Sequence, residues 1–354
     1  MQAERHGLKL RIIRKIPGMT VHWIDGEKII ASRNYSIYIS KDCGATFCKI
    51  FDVNVSSLLK ILSRSRLIER GLRLGIRALL KLRSNAILCI ANRRVFRFEN
   101  GKLSHVFYFE RGVGPLRNGL CEDEKGNVYM GEYFLNNSRK YPVKLLKSTD
   151  GGRSWEVVCF FRNIRHIHCV QYDPYEKLIW LGTGDSDRES KILFSEDGGE
   201  SWRVIGSGNQ MFRTMSLQFT EDHVYWGTDT PARQSYICRF NRRDGRVEKM
   251  VPVNGPVYYS ASLENDMMFF STGAEGKSEK ISGAWDNKAR IWASTDGVNW
   301  QDIISWEKDH WPYILGFGRI LFANGSSGNT LAFTTQCVKK ADNVLFIAEV
   351  EMEK

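Results

Sequence analysis

The sequence lacks the short motifs and long apolar runs that mark several specialised classes of protein. Its eight cysteines include no Cys-x-x-Cys pair, so neither a zinc knuckle nor a thioredoxin-like redox site is expected. No apolar run approaches the roughly 18 residues of a membrane span. The N-terminal stretch MQAERHGLKLRIIRK contains no apolar segment typical of a secretion signal. These absences predict a cytoplasmic protein with reduced thiols.

Apolar, aromatic and positively charged residues are abundant instead. Hydrophobic residues make up 42% and aromatic residues 12% of the 354 positions, which is typical of a globular chain with a packed core. The formal net charge is +11, and residues 60–83 supply +7 of it through eight Lys or Arg and one Glu. Elsewhere the charges are mixed and no basic–aromatic stacking pattern appears, so a nucleic-acid partner is not expected.

The basic segment carries a helical stripe of apolar residues over 58–74. Two interpretations follow from this pattern. The favoured one is a solvated surface insertion, in part helical, that leads into a strand. The other is a basic amphipathic helix that contacts an anionic membrane or an acidic partner through residues 60–83.

One turn motif recurs four times along the chain. Its copies are SKDCGATF at 40–47, STDGGRSW at 148–155, SEDGGESW at 195–202 and STDGVNW at 294–300. Each copy lies between two short apolar runs, which predicts a strand, a tight turn and a second strand. In such a turn the aspartate accepts backbone N–H groups and the glycines supply positive φ.

A second repeat fills the intervals between these turns. RNGLCEDEKGNVYMGEY at 117–133, RHIHCVQYDPYEKLIWLGTGD at 165–185 and FRTMSLQFTEDHVYWGTD at 212–229 each read as polar start, strand, turn, strand and small-residue exit. Counted with looser copies, the chain contains seven units of about four strands, which predicts an all-β, seven-bladed β-propeller spanning residues 1–354 as one domain. The N-terminal LKLRII is expected to pair with the C-terminal NVLFIAEV and close the ring.

The Ser-x-Asp-x-Gly-x-Thr/Ser-Trp turn resembles that of the Asp-box, or BNR-repeat, proteins, which include sialidases and related carbohydrate-active propellers. The resemblance covers four blades and implies four-stranded antiparallel blades with the Asp-box on each outer hairpin. It also implies that the box is structural, so Asp42, Asp150, Asp197 and Asp296 are excluded from the candidate site. It also implies arginines that grip a substrate carboxylate, a Tyr–Glu nucleophile pair and an acidic general acid. Glu132 and Tyr133 are adjacent and point apart on a regular strand, so the sequence does not identify the Tyr–Glu pair.

Four arginines occupy the same position in successive units. Each stands eight residues before the turn of its second repeat, at spacings of 40, 48 and 48: Arg77, Arg117, Arg165 and Arg213. Innermost strands of a propeller start on one face, so these side chains are expected to converge at the mouth of the central channel. They either tie neighbouring blades together or capture an anionic ligand, which suits the planar guanidinium fork.

The strand exits and one strand start supply candidate catalytic groups. Glycosidic hydrolysis needs an acid and a base or nucleophile, for which the exits offer Glu132, Asp185 and Asp229. His166 and His168 form a His-x-His pair that could be half of a metal site, but no third ligand is evident, so a metal is possible but not favoured and no cofactor is expected. A histidine with a tyrosine is instead suited to β-elimination by a polysaccharide lyase; the tyrosine candidates are Tyr133, Tyr258 and Tyr259.

The sequence therefore predicts a glycoside hydrolase that cleaves a bond next to an acidic sugar in an oligosaccharide or polysaccharide. A lyase acting on a uronate-containing glycan is the second hypothesis, and a non-catalytic glycan-binding or scaffold propeller is the third. The candidate catalytic residues are His166, His168, Glu132, Asp185, Asp229 and Tyr258. The candidate substrate-binding residues are Arg77, Arg117, Arg165, Arg213, Tyr133 and Tyr259.

Overall fold

Seven four-stranded antiparallel sheets are present in the computed structural model, which describes residues 7–231, 233–264, 266–275 and 286–352. Strand β1 is Leu8–Pro17. Blade 1 contains β2 Thr20–Asp25, β3 Lys28–Arg33, β4 Ser36–Ser40 and β5 Cys48–Asp52. Blade 2 contains β6 Ala78–Lys81, β7 Ile87–Ala91, β8 Arg94–Glu99 and β9 Lys102–Tyr108. Blade 3 contains β10 Leu120–Glu122, β11 Val128–Gly131, β12 Val143–Ser148 and β13 Glu156–Phe161.

The second half of the chain repeats the same arrangement. Blade 4 contains β14 His166–Asp173, β15 Leu178–Gly184, β16 Lys191–Ser195 and β17 Arg203–Ser207. Blade 5 contains β18 Leu217–Phe219, β19 His223–Gly227, β20 Ser235–Asn241 and β21 Val247–Val253. Blade 6 contains β22 Val257–Ser262, β23 Met268–Thr272, β24 Lys288–Ser294 and β25 Gln301–Glu307. Blade 7 contains β26 Arg319–Phe322, β27 Thr330–Gln336 and β28 Val344–Met352, with β1 as its fourth strand.

The ring closes through the two ends of the chain. Strand β1 pairs antiparallel with β28, from Leu8 opposite Met352 to Pro17 opposite Val344. The innermost strands of neighbouring blades contact one another around the circle, including β26 with β2. The predicted seven-bladed propeller and its closure by the N-terminal strand are therefore confirmed.

The core is a set of apolar layers between blades. Seven clusters of buried hydrophobic residues are present, and each one joins two neighbouring blades. Between blades 4 and 5, for example, Trp180 of β15 packs near Trp226 of β19 with Cys169 of β14. All five residues of β7 are buried, because a second strand is covered on both faces by other blades. The centre of the ring is left to polar side chains at the ends of the inner strands.

Each of the four predicted Asp-box turns connects the third and fourth strands of its blade. In the turn between β16 and β17, Ser195 Oγ donates to Asp197 Oδ1 (2.8 Å) and accepts from Gly199 N (2.7 Å). Ser201 Oγ and Ser201 N both donate to the Asp197 carboxylate (2.5 and 2.9 Å). In the shorter fourth copy, the Asn299 side chain replaces this hydroxyl as donor. The box aspartates are thus held by their own turns, far from the inner strands.

The connection between blades 1 and 2 contains two short helices, α1 Ser57–Leu62 and α2 Arg66–Leu72, in place of one continuous helix over 58–74. The Ser63 hydroxyl donates to the Lys60 carbonyl (2.9 Å) where α1 ends. Two single-turn 3-10 helices complete the helical structure of the described residues, at Gln210–Phe212 and Tyr313–Leu315. Among the described residues, no helix is both long enough and apolar enough to cross a membrane.

Helix α2 is anchored to blade 7 by ion pairs. Arg66 donates two hydrogen bonds to the Asp342 carboxylate (2.7 and 2.8 Å). Arg70, which is buried, donates to Asp309 and to the Leu315 carbonyl. The two basic side chains of α2 are therefore paired with acidic partners more than 200 residues away in the chain, while Leu67 and Leu72 of the same helix are exposed.

We expect Asp197→Ala to lower the free energy of unfolding by about 1–2 kcal/mol at neutral pH, because it removes the acceptor of several turn hydrogen bonds. Hydrogen bonds from Ser201 hold the pKa of Asp197 below its ordinary value. Its contribution is therefore fully present above the unfolded-state pKa of about 4 and is lost as the pH falls below it. Denaturant titration across this pH range measures the free energy of unfolding of the variant and of wild type. The difference between the two should become smaller as the pH falls. Asp187→Ala, which removes only an exposed ion pair with Arg233, is the control, and an equal loss in both variants would contradict the structural role.

Candidate functional site

A cavity of about 520 Å³ lies where the inner strands begin. Every blade contributes a residue at or near the start of its innermost strand: Thr20, Arg77, Arg117, Arg165, Arg213, Tyr258 and Arg319. The four predicted arginines therefore line one cavity, and Arg66, Arg70, Arg73 and Arg319 join them. A larger surface depression, of about 850 Å³ around Asp123, Glu176 and Arg242, contains none of the predicted site residues.

Two of the arginines share the carboxylate of Asp185. Arg165 donates to Asp185 Oδ2 (2.5 Å), and Nη2 of Arg213 lies 3.2 Å from Asp185 Oδ1. Arg213 Nε also donates to Asp229 Oδ2 (3.2 Å), so this side chain bridges the exits of blades 4 and 5. The ionised Asp185 is favoured, and its pKa lies far below the ordinary range: burial opposes this shift, but His166, His168 and Arg213 outweigh it.

The other two predicted arginines have no acidic partner among the described residues. Arg117 is buried and donates to the carbonyls of Val21 and Phe322, across the channel in blades 1 and 7. Burial lowers the pKa of Arg117 to about 10. Arg77 donates only through Nε, to the carbonyls of Gly114 and Pro115 (3.2 and 2.8 Å). The cavity thus contains guanidinium groups that no carboxylate of the described residues neutralises.

The two histidines converge on the same carboxylate. Nε2 of His166 lies 3.0 Å from Nε2 of His168, and Asp185 Oδ1 lies 3.4 and 3.1 Å from these two atoms. Burial lowers the pKa of His168 to about 4, so this imidazole is neutral at physiological pH. His166 is stacked on the ring of Tyr133, with centroids 4.0 Å apart.

A tyrosine–glutamate pair faces the cavity from blade 6. The Tyr258 hydroxyl donates to Glu275, which follows β23, and both residues line the cavity. Burial raises the pKa of Tyr258 well above its ordinary value and also raises that of Glu275. Sequence reasoning missed Glu275, because it lies three residues beyond the end of β23 and has no counterpart in the repeat.

The three predicted carboxylates have three different environments. Burial raises the pKa of Asp229 to about 7, with the nearby Glu275 and Asp185 charges adding to the effect and Arg213 opposing it. Asp185, in contrast, stays ionised. Glu132 does not line the cavity: its carboxylate is buried and accepts from the Lys144 backbone N–H (2.9 Å). The structure therefore brings Asp185 and Asp229 together and leaves Glu132 outside the site.

Backbone bulges on the inner strands aim several of these side chains. The register of β14 against β15 shifts between Ile167 and Cys169, at His168. The same irregularity occurs at His22 in β2 and at Tyr258 in β22. An extra residue in one strand re-aims its side chain relative to the pleat. His168, at the bulge of β14, and Arg165, just before that strand, both approach the Asp185 carboxylate.

No protein-family model and no curated protein sequence matches the chain. Solved structures do match. Oligogalacturonate lyase in complex with manganese is 8% identical, with a TM-score of 0.62 and 98% of each chain covered. The WD40 β-propeller domain of Doa1 is 13% identical, with a TM-score of 0.56 and 97% of each chain covered. A protein of unknown function from Dyadobacter fermentans DSM 18053 is 13% identical, with a TM-score of 0.51, covering 97% of this chain and 99% of its own. At these identities the likeness shows the propeller fold alone.

Proposed function

We propose that the protein is a glycoside hydrolase that cleaves the bond next to an acidic sugar in an oligosaccharide or polysaccharide. The observation that carries this proposal is the Tyr258–Glu275 hydrogen bond inside an arginine-lined cavity. The combination fits the pattern that the Asp-box resemblance implies: arginines, a Tyr–Glu pair and an acidic group.

The charge of the cavity favours an anionic substrate. Eight arginines line it, against the carboxyl groups of Glu69, Asp185, Asp229 and Glu275. Arg77 and Arg117 in particular have no acidic partner among the described residues. A sugar carboxylate that accepts hydrogen bonds from such guanidinium groups gains charge-assisted interactions, which are about twice as strong as neutral ones.

The Tyr–Glu pair suits attack on a sugar that already carries a negative charge. A carboxylate nucleophile would be repelled by the substrate carboxylate, whereas a neutral phenol would not. In the proposed step, Tyr258 Oη bonds to the anomeric carbon while Glu275 accepts its proton. The glycosidic C–O bond breaks, and protonated Asp229 supplies the proton that the leaving oxygen needs. Water then cleaves the bond between tyrosine and sugar, with the same groups acting in reverse.

Lyase chemistry is the second candidate, and the environment of His168 favours it. This imidazole is buried, neutral at physiological pH and hydrogen-bonded to Asp185 (3.1 Å) beside two arginines. A neutral imidazole can take the C5 proton of a uronate whose carboxylate an arginine neutralises. Tyr133, stacked on His166, is the candidate for protonating the leaving oxygen. One fold neighbour carries the name oligogalacturonate lyase.

Arg165→Ala and Arg77→Ala should each weaken binding of an acidic oligosaccharide by roughly 10- to 100-fold, since a hydrogen bond to a charged group contributes about 1.5–3 kcal/mol. Calorimetric titration with sialylated, uronate-containing and neutral oligosaccharides measures the effect, which should be confined to the acidic ones. Arg162→Ala is the matched control, because this exposed arginine lies on the same loop as Arg165 and does not line the cavity. Unchanged binding in both cavity variants would favour the scaffold hypothesis.

Tyr258→Phe should lower kcat at least about 100-fold while the variant still binds the acidic sugar, because only the attacking hydroxyl is removed. Products are analysed for new reducing ends and for absorbance in the near ultraviolet. Hydrolysis gives a reducing end that incorporates labelled oxygen from water and gives no absorbance. An absorbing unsaturated uronate, with activity retained in Tyr258→Phe and lost in His168→Gln, would instead identify a lyase.

The protonated form of Asp229 is required as the acid, so kcat/KM should fall as the pH rises above about 7. Asp229→Asn should lose about 100- to 10,000-fold in activity on natural glycosides. It should retain activity on a 4-nitrophenyl glycoside of the same sugar, whose leaving group needs no proton. Glu132→Gln, a change to a buried carboxylate outside the cavity, is the control. Equal losses on both substrate types would show that Asp229 is not the acid.

A further inference from the structure

The hydrolytic scheme uses Tyr258, Glu275 and Asp229, and leaves the cluster of His166, His168 and Asp185 without a role. We propose that these three residues form a binding site for one divalent first-row transition-metal ion in the wall of the cavity. Each residue offers one donor atom to a common point: Nε2 of His166, Nε2 of His168 and Oδ1 of Asp185.

The spacing of the three donor atoms fits a shared ion. They form a triangle with edges of 3.0, 3.1 and 3.4 Å. Three ligands each about 2.1 Å from a metal ion stand about 3.0 Å apart at octahedral angles and about 3.4 Å apart at tetrahedral angles. The observed edges cover this interval.

The remaining ring nitrogens support the same assignment. Nδ1 of His166 lies 3.3 Å from the Phe134 carbonyl, an acceptor that places the proton on Nδ1 and leaves Nε2 free to bind metal. Nδ1 of His168 is buried and has no hydrogen-bond partner. Its nearest carboxylate oxygen is Asp229 Oδ2, at 4.0 Å. A metal on Nε2 would place a proton on this Nδ1, facing an acidic second partner, as is usual for metal-bound histidine.

Without an ion, the cluster leaves one buried group unsatisfied. His168 Nε2–H can donate to Asp185 and to His166 Nε2, which accounts for the short contacts. His168 Nδ1 is then a buried acceptor that no described residue supplies with a proton, which is unfavourable. In the metal-bound arrangement this atom instead carries a proton that faces the Asp229 carboxylate, 4.0 Å away.

All three ligands belong to one hairpin, which makes the site rigid. His166 and His168 lie on β14 and Asp185 directly follows β15 of the same blade. Tyr133 stacks on the His166 ring, and a Cβ at Gly184 would lie 2.9 Å from His168 Cε1. Stacking thus restrains the His166 ring, and the His168 ring packs against the backbone at Gly184, where a side chain would not fit.

Two imidazole nitrogens and one carboxylate oxygen favour zinc, manganese or iron over magnesium and calcium, which prefer oxygen ligands. Because His168 and Asp185 line the cavity, the coordination positions of the ion that the protein does not fill are accessible from it.

Arg165 and Arg213 already bind Asp185, so a bound ion leaves an excess of positive charge. A substrate carboxylate would balance that excess, a last step that rests on the proposed function.

The test uses tag-free full-length protein, treated with a chelator and dialysed, and titrated with Zn²⁺ and Mn²⁺ by calorimetry without any sugar. We expect one ion per chain, and no comparable binding of Mg²⁺ or Ca²⁺. His166→Gln and Asp185→Asn should weaken binding by more than about 100-fold, because changing a residue that only hydrogen-bonds to a metal ligand already costs about 10- to 100-fold. His105→Gln and His223→Gln alter histidines outside the cavity and should bind like wild type.

Electron spin echo spectroscopy of the Mn²⁺-loaded wild type provides a second readout that needs no variant. Modulation from imidazole nitrogen supports the site, and its absence would overturn the proposal. So would the lack of stoichiometric binding by wild type, or equal affinity in folded His166→Gln. If the protein binds the metal ion but no acidic sugar, only the proposed function is contradicted. If it binds acidic sugars but no metal ion, only the metal site is contradicted.

Discussion

The packing of apolar layers between blades is the constraint on which the rest of the molecule depends. Each layer joins two blades, and the pairing of β1 with β28 completes the last of them, so the hydrophobic core forms a ring with no apolar side chain required at its axis. The first residues of the seven innermost strands therefore face one shared space. Residues 40 to 50 positions apart in the chain become neighbours there, whatever their chemical type.

That space concentrates positive charge that would destabilise an ordinary interior. Asp185 compensates part of it through ion pairs with Arg165 and Arg213, but buried Arg117 has only carbonyl and imidazole partners in the described part of the chain. The lowered pKa of Arg117, about 10, reports the cost of holding this charge away from water. The interblade layers supply the stability that lets the ring hold such a cluster. An anionic ligand would relieve the repulsion, so the free protein is arranged to gain from binding one.

The fold and the arginine cluster could be predicted because both follow from motifs and residues that recur at regular intervals in the sequence. The turn motifs fix the blade boundaries, and a constant offset from a turn fixes which residue begins each inner strand. The rest depends on contacts with no periodic signal. Glu275 meets Tyr258 only through the path of the chain beyond β23, and Glu132 turns away to the Lys144 backbone. The anchoring of α2 depends on Asp309 and Asp342, which no local pattern links to a basic helix.

Three chemically distinct side chains stand where the innermost strands are irregular. His22, His168 and Tyr258 each occupy a bulge in the innermost strand of a blade, and the three carry different chemistry: a partner of Arg117, a member of the histidine cluster and the phenol of the Tyr–Glu pair. A bulge places one extra residue toward the channel without altering the interblade packing on either side. The same kind of bulge can therefore present different side chains at the same position of different blades. The four aspartate turns lie at the outer hairpins, whereas these three side chains lie at irregularities of the innermost strands.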